Sequence, residues 1–155
     1  MFENKSLSYF GTCLDTLLPY ALSLLVFAGF IHRAIGHMPR AKPFVQTARI
    51  LRILSLFMVG LVVTPYSVGP EIKLAHTIVA MVASDIMLGL TFWLALFVRR
   101  DRVSVSLLIT QVTAGILAGL ALLDKGGLFL AGEMVYVLAF GAILARTIHL
   151  THPAP

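Results

Sequence analysis

One stretch constrains the fold more than any other: KLAHTIVAMVASDIMLGLTFWLALFV, Lys73 to Val98, almost uniformly apolar with a single carboxylate, Asp85, near its centre. About 20 apolar residues rising ~1.5 Å each cross a hydrocarbon core roughly 30 Å thick, so this run is long enough to span a bilayer. An acid at mid-depth costs on the order of 2.5–3.5 kcal/mol on insertion scales, and the expectation is that Asp85 faces protein or water and not lipid. The rest of the chain must then supply its cover.

The chain has the material to do so. Of its 155 residues 59% are hydrophobic and 12% charged, against roughly 25% charged in a soluble domain. Mean hydropathy is +0.94. Apolar runs recur at short spacing with no hydrophilic stretch long enough to fold separately, giving one membrane domain over residues 1–155. The fold class expected is an all-α integral membrane protein, a bundle of five transmembrane helices at about 17–35, 48–64, 73–98, 103–123 and 127–150.

The breaks between spans carry the punctuation. Asp15 or Thr16 can cap the first helix, with Pro19 tolerated near its first turn. Pro39 and Pro43 interrupt the polar connection after it, and TPYSVGP ends the second span. Arg33, Arg40, Lys42, Arg49, Arg52, Arg99, Arg100, Arg102 and Arg146 fall at one end of the spans; Lys5, Lys73 and Lys125 fall at the other. Nine against three is a positive-inside bias that places the amino terminus outside and the carboxy terminus in the cytoplasm. The expected location is the cell membrane, as a multi-pass protein; in a bacterium this is the inner membrane. The same distribution explains the net charge of +5 without nucleic acid as a partner. The expected partners are the lipid bilayer and either further copies of the chain or other membrane subunits.

Cys13 is the single cysteine, which excludes an internal disulfide and a Cys-rich metal cluster. The segment before Leu17 lacks a basic n-region, and no small-residue cleavage site follows the apolar run, so the first run is expected to stay as a helix. HExxH, GxSxG and Walker patterns are absent from the sequence, and neither Ser84 nor Ser104 has a neighbouring base. No inverted pair of broken helices suggests a transporter repeat.

What remains is a set of intramembrane polar residues. Helical spacing puts Ile78, Met81, Val82, Leu88, Gly89 and Phe92 on the face of Asp85, surroundings that disfavour its charged form. Gln111, at similar depth on the fourth span, is its expected partner, and Ser104, Ala114, Gly115, Ala118 and Gly119 share the Gln111 stripe. Gly115 and Gly119 form a GxxxG spacing suited to close helix packing, within the chain or between chains. His76 and Glu133, both shallow from the outer surface, can join the third and fifth helices by a charge-assisted bond. His76 lies about 180° around its helix from Asp85, which argues against a compact metal site. Trp93, Phe92, Phe97, Tyr66 and Tyr20 fit interfacial anchoring.

Three functions follow as expectations. The first is a non-enzymatic membrane-complex or self-associating subunit without a cofactor, held by a polar seam of Asp85, Gln111, Glu133 and His76, with the third, fourth and fifth helices as its close-packed part. The second is a proton-coupled carrier of a small solute using Asp85. The third is electron transfer through haem b between His32 and His149, since such a haem takes two axial imidazoles.

Overall fold

In the computed structural model, residues 14–65, 69–124 and 129–151 are described. They form five α-helices and no strand: α1 Leu14–Gly36, α2 Lys42–Val63, α3 Pro70–Phe97, α4 Arg102–Asp124 and α5 Phe129–Thr151. Each is long and apolar enough to cross a membrane. Sequential helices run up and down, bringing the carboxy ends of α1, α3 and α5 together with the amino ends of α2 and α4. This is the basic end of the bundle.

Helix limits follow local chemistry. Pro43 does not break the chain before α2; it sits in the first turn, where a missing N–H costs nothing, and α2 therefore begins at Lys42 and not near 48. Pro70 does the same for α3. Conversely, α1 starts at Leu14, so Asp15 and Thr16 lie within the helix instead of capping it, and Pro19 is inside. The Asp101 carboxylate caps α4, accepting from the Ser104 backbone N–H at 3.0 Å and from its hydroxyl at 2.7 Å.

The apolar core lies between α1, α2, α3 and α5. Ile31 of α1, Leu51 and Leu54 of α2, Leu94 of α3 and Phe140, Ile143 and Leu144 of α5 are its fully buried members. This enlarges the close-packed part beyond α3, α4 and α5, because α1 and α2 contribute much of the buried volume. Helix α4 joins differently. Its buried inner face is Ser104, Gln111, Ala114 and Ala118, small or polar, and it lies against α5 by close backbone approach. A Cβ on Gly132 of α5 would stand 3.0 Å from the Ala114 carbonyl oxygen and 3.0 Å from the Ala118 methyl.

At the basic end two devices lock helices in register. Trp93 donates its indole N–H to Thr47 Oγ1 at 3.0 Å and packs edge-on against Phe97, which meets Phe44 of α2. Arg146 of α5 grips Asp101 with two bonds, Nε to Oδ2 at 3.1 Å and Nη2 to Oδ1 at 3.0 Å. These aromatics thus join α2 to α3 as well as meeting the surroundings, and Tyr20 is buried rather than placed as an anchor. Tyr66 lies outside the described residues.

Candidate functional site

Gln111, expected to pair with Asp85, meets α3 through Thr91. Gln111 is fully buried, and its Oε1 accepts from Thr91 Oγ1 of α3 at 2.6 Å. Thr91 also lies 2.9 Å from the Met87 carbonyl oxygen one turn back. The hydroxyl has one proton for these two acceptors, so it serves them in alternation. The amide nitrogen of Gln111 is buried with no hydrogen-bond partner.

Tyr136 of α5 bridges α4 and α3. Its ring lies over Gly115 of α4, where a Cβ would meet ring carbons at 3.2 Å. Gly115 therefore serves as a slot for this ring, not as half of a symmetric GxxxG contact. Through the slot the hydroxyl reaches α3 and donates to the Ser84 carbonyl at 2.6 Å.

Asp85 itself is exposed, contrary to the expectation that α4 and α5 would cover it. The reason is the rotation of α3. Ala83, Met87, Leu90, Thr91 and Leu94 form its buried face; at about 100° per residue Asp85 falls roughly opposite that face, beside exposed Ile78, Met81, Val82, Gly89 and Phe92. Gly119 also points outward, with no atom within 4 Å of an added Cβ.

His76 is buried and turned towards α2. Its Nδ1 lies 2.7 Å from the Thr64 carbonyl oxygen, an atom that only accepts, so Nδ1 carries the proton and donates. The Thr64 hydroxyl in turn donates to Gly60 at 2.8 Å. His76 thus ties α3 to the carboxy cap of α2, while Glu133 is half-buried on α5. His32 and His149 are both exposed, one on α1 and one on α5. Among the described residues no three of His, Cys, Asp and Glu converge to hold a metal ion.

Sequence reasoning missed Thr91, Tyr136 and Asp101. Asp101 had a readable signal, an acid followed three residues later by a serine at the start of an apolar run. The Arg146 clamp has a chemical result: the guanidinium, helped by Ser104, holds the Asp101 carboxyl well below the usual carboxylate range.

The described residues define an all-helical bundle of five long apolar helices that could span a membrane, with Thr91 and Gln111 hydrogen-bonded between α3 and α4. No family model, curated protein or solved structure matches this chain.

Proposed function

We propose that this is a non-enzymatic, multi-pass cell-membrane protein acting as a self-associating subunit, two copies meeting through the α3 face centred on Asp85. The basic end lies in the cytoplasm, with the amino terminus outside and the carboxy terminus inside, as the nine-to-three distribution of cationic residues favours. One observation carries the reading: Asp85 is exposed halfway along α3, on a face otherwise made of Ile78, Met81, Val82 and Phe92. A lone protomer would offer that carboxyl to acyl chains, at about 2.5–3.5 kcal/mol.

A second copy removes the cost with the chain's own chemistry. A two-fold axis along the membrane normal brings each residue to its own depth on the partner, so the two carboxyls meet and one proton shared between them makes a hydrogen bond. Gly89, one turn from Asp85, leaves open space where a side chain would otherwise hold the helices apart. Light scattering on the detergent-purified protein tests this. The expected result is a dimer for the native chain and a monomer for Asp85→Leu; a monomeric native chain or a dimeric variant would overturn it.

The orphaned Gln111 amide favours a second reading, a proton-coupled carrier in which Asp85 exchanges protons along the seam, with His76 and Glu133 as its outer entrance. Asp85→Asn should then abolish pH-driven flux in proteoliposomes while the bundle stays folded. Unchanged flux removes this reading.

A further inference from the structure

At the basic end, where α3 and α5 finish, a groove of about 300 Å³ is lined by Leu96, Phe97, Arg99, Arg100, Asp101 and Leu150 among others. Its two halves differ in chemistry. Leu96, at 64% exposure, and Leu150, at 43%, continue the groove onto the apolar outer surface of the bundle. Arg99 and Arg100, both exposed, crown it at the turn between α3 and α4. The one carboxylate in the lining, Asp101, would repel an anion if free, but both of its oxygens are engaged by Arg146. The surrounding end of the molecule carries nine cationic side chains with Asp101 as their lone acidic neighbour.

We infer that this groove binds an anionic phospholipid, with its phosphate between Arg99 and Arg100 and an acyl chain along Leu96 and Leu150. A free phosphate would use the arginines and leave the apolar half empty. A lipid uses both, and does so at the level where headgroup and chain divide, since α3 ends at Phe97 and α5 at Thr151. Paired arginines beside a helix end at the cytoplasmic surface are the chemistry that retains acidic headgroups. The inference rests on the helices crossing a bilayer, and resistance of the protein to alkaline carbonate extraction from membranes checks that part separately.

The test is thermal unfolding of the full chain in a non-ionic detergent with added phosphatidylglycerol, phosphatidylcholine or glycerol 3-phosphate. Phosphatidylglycerol should raise the midpoint saturably, and the other two should not. In Arg99→Gln/Arg100→Gln the half-saturating concentration should rise at least about tenfold, each arginine–lipid contact being of a size that adds to this much. Arg49→Gln/Arg52→Gln, which removes equal charge away from the groove, should respond as the native chain does. Equal shifts with phosphatidylcholine or glycerol 3-phosphate, or an equal loss in the two double variants, would overturn the site.

Discussion

Arg146 and Asp101 show how a single pair can report on the pH behaviour of a helix junction. Because the folded state holds the Asp101 carboxyl below its ordinary value, the ionised form favours folding, and that contribution is complete above the unfolded value of about 3.9 and shrinks as pH falls below it. Thermal midpoints measured from about pH 6 to pH 3 should fall in the native chain, and Asp101→Asn should start lower and lose less over the same window. Parallel curves would contradict the clamp. Gln111 makes a different point. Its amide nitrogen is buried without a partner while its Oε1 accepts from Thr91, so Gln111→Leu, which removes the orphaned group together with that one bond and leaves Thr91 its bond to Met87, should change unfolding stability by less than about 1 kcal/mol. Gln111→Ala, which opens a cavity, should cost on the order of 2 kcal/mol or more.

Helices α4 and α5 separate packing from mere adjacency of small residues. Gly132→Val should lower stability by about 1–3 kcal/mol, since its Cβ would press on the Ala114 carbonyl and the Ala118 backbone. Gly119→Val should be close to neutral in the protomer because that position is open. Unfolding measured side by side checks both. Element by element, the apolar runs made the existence of five helices legible, and the cost of a buried amide made Gln111 a sound choice for an inward-facing residue. The rotation of α3 was not legible. Both of its faces are apolar, Ile78, Met81 and Phe92 on one and Met87, Leu90 and Leu94 on the other, so no stripe marks the core side. The place of Asp85 halfway along α3 was readable from the sequence; its exposure was not, because that depends on which face α3 turns to the core.

For the whole molecule, the apolar core is closed and Asp85 lies outside it, on the exposed face of α3. Four helices close around Ile31, Leu51, Leu94 and Phe140, α4 straps onto α5, and the remaining polar group at mid-span is left on the outside of α3. On the proposed reading as a membrane-assembly subunit, that exposed carboxylate is the surface a partner copy covers. Oxidative cross-linking in native membranes tests this most directly, with single cysteines placed in a Cys13→Ser background at Gly89 on the Asp85 face and at Leu56, which is 71% exposed on α2. The account predicts that Gly89→Cys forms a covalent dimer while Leu56→Cys stays monomeric; a Gly89→Cys chain that fails to cross-link, or does so no better than Leu56→Cys, would contradict it.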